Sequence, residues 1–318
     1  MGYDLVTLGE TMVRLTPPAG ERLEQATQFD IEIGGAESNL AVALARLGKR
    51  VAWLSRLPEN PLGTQTVRAL RQHGVDTSWV VWTKQGRMGL YFLEYGSPPR
   101  SVRLWYDRAG SAASQMTPDD LPLEAIASAR WLHLTGITPA LSDSCAETVR
   151  AALEHARAHQ VTVSFDINYR SLLWSREEAA SALEPLCLQA DYTIGALRDT
   201  CNLFSTEDKA ESAVRDLQER WSGTVVLTEG DAGVIAYDGE TLERAQAIPA
   251  TVVDRLGAGD AFAAGLICRL LEAASLGEAL RFGTALAALK LTIPGDLALT
   301  SRDEVEELIA SGGAGVQR

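Results

Sequence analysis

The sequence predicts an α/β fold built on one mostly parallel sheet with helices on its faces. Three observations carry this expectation. Short apolar runs alternate with helical stretches through most of the chain, the segments from residue 258 to 309 are helical in pattern, and 318 residues suffice for one large α/β domain with an excursion. A single domain over residues 1–318 is therefore expected, with lid strands from about 11–33 and 79–108 inserted where the alternation breaks.

Taken in order, residues 4–9 form a short apolar run ending in glycine and read as a buried strand. Leu40, Val42, Ala43, Leu44 and Leu47 suit a helix over 36–47, which Gly48 would end, and 51–54 reads as the next strand. The rhythm recurs as a helix over 63–73, a strand over 131–134, a helix over 143–159, and strands over 161–165 and 224–227. The helical patterns over 258–274, 276–291 and 302–309 should cover one side of the sheet. Of the two interruptions, the second is dense in aromatic and branched residues with turns at Gly86 and Ser97-Pro98-Pro99, and both read as antiparallel strand pairs. They suit a small second sheet covering a site; a hairpin serving only packing or dimerisation fits the same pattern.

A formal charge of −13 disfavours nucleic acid or an anionic membrane surface as partner, since both call for a basic face. No run approaches membrane-spanning length, and the start of the chain has neither the basic onset nor the apolar core of a signal peptide, so a cytoplasmic setting is expected. The four cysteines are scattered, without a C-x-x-C pair, and read as reduced, mostly buried thiols.

The window most informative about chemistry runs from Asp254 to Gly265, through Gly257-Ala258-Gly259-Asp260 into an apolar helix. Glycines at 257 and 259 let backbone amides approach a ligand, and the helix start behind them favours a phosphate. Asp260 in that first turn is either a capping carboxylate, worth about 1 kcal/mol, or a base that takes the proton of a substrate hydroxyl while the neighbouring amides hold the phosphoryl group it attacks. The chain contains no G-x-x-x-x-G-K-[ST], and Phe262 occupies the third glycine position of G-x-G-x-x-G, so neither a P-loop nor a dinucleotide-binding turn is supported.

With that window, Asp254-x-x-Gly257-Ala258-Gly259-Asp260-Ala261-Phe262, the chain resembles the ribokinase-like, or PfkB, family of carbohydrate kinases. Gly34-Gly35-Ala36-Glu37-Ser38-Asn39-Leu40-Ala41 followed by Leu47-Gly48 is similar to that family's N-terminal signature. The two lie in the family's order, over most of the chain's length apart. Within the family, Gly89-Leu90-Tyr91, Tyr106-Asp107-Arg108, His133 to Leu141 and Asp166-Ile167-Asn168-Tyr169-Arg170 look most like 2-keto-3-deoxygluconate kinases. The resemblance implies a ribokinase-like three-layer α/β/α fold with a small β-sheet lid.

It also implies ATP-dependent phosphorylation of the primary hydroxyl of a sugar acid, with Asp260 as base and Gly257, Ala258 and Gly259 as anion hole. By the same implication Gly34, Gly35, Asn39, Tyr91, Tyr106, Arg108, Ile137, Asp254 and Asp296 surround the sugar acid, and Asn168, Arg170, Thr228, Gly230 and Gly233 fall on the phosphate and nucleotide side. Arg108 carries the physical case for an acid, because a planar guanidinium grips a carboxylate through two parallel hydrogen bonds. ATP and Mg²⁺ are the expected cofactors, with a monovalent cation a further candidate. The family's Asn-x-x-Glu segment reads Ala196-Leu197-Arg198-Asp199 here, which leaves Asp199 as the candidate metal ligand. The alternatives are a kinase of the same fold acting on a neutral sugar or nucleoside, and a silent sugar-binding protein. A homodimer or larger homo-oligomer joined through the lid is expected, because an exposed sheet edge is a liability unless paired.

Overall fold

A computed structural model of the chain describes residues 2–96 and 99–312. Its strands are β1 (Leu5–Leu8), β2 (Met12–Thr16), β3 (Asp30–Gly34), β4 (Val51–Leu54), β5 (Arg56–Pro58), β6 (Val81–Thr83), β7 (Leu90–Glu94), β8 (Arg103–Asp107), β9 (Trp131–Thr135), β10 (Thr162–Asp166), β11 (Tyr192–Ala196), β12 (Thr224–Thr228), β13 (Val234–Tyr237) and β14 (Leu242–Ala245). Eight of them form the main sheet in the order β14-β13-β12-β11-β10-β9-β1-β4, parallel except for the antiparallel edge made by β13 and β14.

Successive residues of each central strand face opposite cores. Leu5 and Val51 point into one apolar layer, with Ala36–Arg46, Ala258–Leu271 and Leu276–Leu291, and Val6 and Ala52 into the other, with Asp143–Ala158, Arg176–Cys187 and Ala210–Trp221. The period-two alternation of a strand buried on both faces explains why these segments read as unbroken apolar runs. Ala36–Arg46 takes its place because Leu40, Val42 and Leu44 are fully buried along it, each worth about 1.5–3 kcal/mol of apolar burial.

The second sheet, ordered β3-β2-β7-β8, lies over one end of the first as a lid. The two expected antiparallel pairs are both present in it. β2–β3 and β7–β8 are antiparallel hairpins, but β2 and β7 pair in parallel, so the hairpins fuse into one mixed sheet. Residues 81–83 stay out of it and pair with β5 instead. The turn expected at Ser97-Pro98-Pro99 falls partly outside the described residues.

Strand order positions the site. From β1 the chain runs to β4 on one side and later returns through β9, β10, β11 and β12 on the other, so the order reverses between β1 and β9. Open parallel sheets bind ligands beyond the carboxyl ends of their strands at such a reversal. The loops after β1, β9, β10 and β11 converge there, beneath the lid.

Candidate active site

The turn that ends at Gly257 forms the centre of this edge. Gly257 has φ of 78°, and a Cβ on it would collide with the Asp296 carbonyl oxygen, so only glycine fits. It is the N-cap of Ala258–Leu271, whose first amides have no carbonyl one turn back; that of Ala258 reaches Arg255 O at a long 3.4 Å. Asp260 stands in this first turn, but its carboxylate is held by another helix: Asn39 Nδ2 donates to Oδ2 at 2.7 Å. Asn39 is fixed in turn by the Gly35 amide, which donates to its Oδ1 at 3.3 Å. Burial pushes the Asp260 carboxyl up to about 6, against the Asn39 hydrogen bond and the Arg170 charge, which both favour the ionised form.

Two cavities meet at Asp260. One, under the lid, is lined by Glu10, Met12, Gly34, Gly35, Ala36, Asn39, Tyr91, Tyr106, Arg108, Ile137 and Asp296. The other, over the carboxyl ends of β10, β11 and β12, is lined by Asp166, Asn168, Asp199, Thr228, Arg255 and Gly259. Arg170, Leu256, Gly257 and Asp260 line both. A hydroxyl-bearing molecule on the first side and a phosphate chain on the second would meet at one carboxylate, one arginine and one helix start.

On the lid side, Tyr91 and Tyr106 are cross-strand partners whose rings stack at 5.9 Å. The Tyr91 hydroxyl and Asp296 Oδ2 converge on the Cα of Gly34 so closely that a side chain there would strike both. Arg108 is engaged: its Nε and an Nη both approach Oε2 of the buried Glu10, at 2.7 and 2.5 Å. The fork expected to hold a ligand carboxylate thus rests on a protein carboxylate, and Glu10 Oε1 has no partner.

Several predicted residues stand elsewhere. Asp254, expected among the residues around the sugar acid, is buried behind the cavity. Its Oδ1 accepts from the Leu256 amide at 3.0 Å, and its Oδ2 from Gly295 N at 3.1 Å, with Arg14 Nη1 at 2.8 Å. Gly230 and Gly233 line neither cavity; with φ of 61° and 109° they shape the tight connection from β12 to β13. Ala258 likewise belongs to the helix start without lining either cavity.

Sequence reasoning missed Arg14, which is buried with Nη1 2.6 Å from Asp296 and Nε 3.3 Å from Glu32. Removing one partner of such a buried network typically costs about 3–5 kcal/mol. Its signal was faint: a lone arginine between Val13 and Leu15. Glu37, named above only as part of the N-terminal signature, is fully buried, with Thr135 and Thr138 hydroxyls donating to Oε1 at 2.7 and 2.8 Å and Oε2 unpartnered. Burial pushes both Glu37 and Asp166 up to about 7, and the charge of Asp260 adds to the effect at each.

A mostly parallel sheet with a lid, a helix start N-capped by glycine and a carboxylate shared between two cavities suit a kinase that phosphorylates a hydroxyl. Residues 3–301 match the pfkB family carbohydrate kinases, and the chain belongs to that family. It is 41% identical to a 2-dehydro-3-deoxygalactonokinase of Haloferax volcanii over the full length of both chains, and 34% identical to a 2-dehydro-3-deoxygluconokinase of Thermoproteus tenax, covering 96% of this chain and 94% of that one. The crystal structure of a 2-dehydro-3-deoxygluconokinase from Thermotoga maritima superimposes with a TM-score of 0.90 at 33% identity, covering 98% of this chain and 99% of that one. Among the described residues no helix is long and apolar enough to cross a membrane.

Proposed function

We propose that the chain transfers the γ-phosphoryl group of ATP to the terminal primary hydroxyl of a 2-keto-3-deoxy sugar acid, with 2-keto-3-deoxygluconate as the principal substrate and its galactonate epimer as the variant to compare. The observation that carries the reading is the position of Asp260 where the two cavities join, in the same turn as the unpaired amides of its helix. The sugar hydroxyl loses its proton to the Asp260 carboxylate as its oxygen bonds to the γ-phosphorus. The bond from that phosphorus to the bridging oxygen breaks, and ADP leaves. Gly257, Ala258 and Gly259 amides and Arg170 carry the charge on the phosphoryl oxygens, so catalysis is positioning plus electrostatic stabilisation.

On the sugar side, Gly34, Gly35, Ile137, Tyr91 and Tyr106 shape the pocket, Asp296 accepts from substrate hydroxyls, and Arg108 faces the carboxylate end. Asp254 holds the turn from behind. On the nucleotide side Asn168 and Thr228 border the phosphates. Among the described residues no three His, Cys, Asp or Glu side chains cluster as a metal cage. One or two carboxylates plus phosphates suffice for Mg²⁺, and Asp166 and Asp199 on the nucleotide-side cavity fit that donor set. The ion would neutralise charge on the phosphates.

A neutral-sugar substrate is the second reading, favoured by one observation: Glu10 already occupies the Arg108 fork. The four cysteines are buried free thiols, which supports the expected reduced cytoplasmic setting. Asp260→Ala tests the base directly. Turnover should fall by roughly two to four orders of magnitude with the melting temperature retained; near-normal turnover would remove Asp260 from the mechanism.

A further inference from the structure

Lys290 is a buried charge that the mechanism above does not use. It lies in the last turn of Leu276–Leu291 and is 0% exposed. Its ammonium donates to two backbone carbonyls, Asp254 O at 3.3 Å and Ile293 O at 3.2 Å. A buried ammonium is costly unless its hydrogens are satisfied, so this placement calls for a reason. Burial pulls the Lys290 ammonium's pKa down, while the nearby Asp254, Asp296 and Asp260 carboxylates oppose that shift.

Those two carbonyls flank the phosphate-binding turn. Val253 and Asp254 amides both donate to Leu291 O, at 2.8 and 3.2 Å, which ties the segment entering the turn to the end of the lysine's helix. The carboxylate of Asp254 is fixed separately by Arg14 and by the Leu256 and Gly295 amides. Three residues on from Asp254, Gly257 packs against the carbonyl of Asp296. Lys290 therefore pins the first carbonyl of a four-residue turn to the segment on which its last residue rests. Converging carbonyls next to carboxylates also make a donor set suited to a small monovalent cation.

We infer that the Lys290 ammonium is a built-in cation that positions the Asp254–Gly257 turn for phosphate binding, as a bound monovalent ion would do, so that turnover needs no added potassium or sodium. Lys290 is a positioning residue, and the inference rests on the reading that this turn receives the transferring phosphoryl group. A misplacement of about 1 Å in such a turn can cost roughly a hundredfold in rate.

The first test uses the wild-type chain with ATP, Mg²⁺ and its best sugar, in buffers whose only monovalent cation is tetramethylammonium, potassium or sodium. Equal kcat in all three is expected; strong activation by potassium or sodium would overturn the inference. Lys290→Met should lower kcat by about ten- to a hundredfold with little change in the sugar KM, and added potassium or ammonium should restore part of the loss. A folded Lys290→Met with wild-type kcat, or with a lowered melting temperature as its sole defect, would reduce Lys290 to packing and overturn the inference. Should Lys290→Met not fold, Lys290→Gln, which also removes the charge but keeps a polar side chain, gives the same readout. A wild-type chain silent with every sugar would instead overturn the phosphotransfer reading, and this inference with it.

Discussion

In the proposed reaction Asp260 serves as the base, and competing effects leave its carboxyl at about 6, so that it is largely ionised at neutral pH. Burial raises it, and the Asn39 amide and Arg170 guanidinium hold it back. The residue must be ionised to accept a proton, so the rate rises with pH as the carboxyl loses its own. The account predicts an acid limb in kcat/KM with an apparent pKa of about 6, as the carboxyl of the free enzyme is pushed up to about 6. A profile flat from pH 5 to 8 would contradict it. Glu37 and Asp166 titrate nearby, so the limb belongs to a coupled group of carboxyls. Asn39→Ala should move the limb upward, because it removes the hydrogen bond that favours the ionised form.

The element to which the proposed chemistry is assigned, Ala258–Leu271 with the turn before it, was legible because glycine spacing and an apolar helix leave a clear mark on sequence. Gly257 gives that mark a physical reason, and Gly257→Ala is expected to lower kcat by about a hundredfold, through strain at positive φ and displacement against Asp296. Steady-state kinetics on a folded variant would check this; unchanged kcat would mean that the turn tolerates a side chain. Less legible elements gave weaker signals. β11 lies in the centre of the main sheet, yet Tyr192-Thr193-Ile194-Gly195-Ala196 is short, mixed in polarity and broken by glycine. Arg176–Cys187 was missed although Ser175 and Glu178 form a capping box at its start. Of the site, the lid tyrosines, Gly34, Asn39 and Arg170 were identified through the resemblance. Glu10 and Arg14 went unnoticed because their roles depend on pairing across distant segments, with Arg108, Asp254 and Asp296.

At the scale of the whole molecule, the lid covers the site and presents a second face to solvent. Its inward face carries Arg14, Tyr91 and Tyr106 in register, and the opposite face carries Leu15, Phe92 and Trp105, the last 41% exposed, with Ile31 53% exposed beside them. Such a face, on a sheet with a free edge at β3 and another at β8, suits a homodimer joined lid to lid. Light scattering at micromolar concentration should give twice the chain mass or a higher multiple; a monomer would remove this part of the account.

In the proposed reaction one carboxylate and one helix start serve phosphoryl transfer to a sugar acid. The most direct measurement is ADP release, with ATP and magnesium, against a panel of 2-keto-3-deoxygluconate, 2-keto-3-deoxygalactonate, gluconate, fructose, ribose and adenosine, run on the wild type and on Arg108→Ala. The account predicts the highest kcat/KM for a 2-keto-3-deoxy acid and a KM for it raised about tenfold or more in the variant, with neutral sugars unaffected. A preference for fructose or ribose that Arg108→Ala leaves untouched would contradict it, and would mean that the guanidinium serves Glu10 alone.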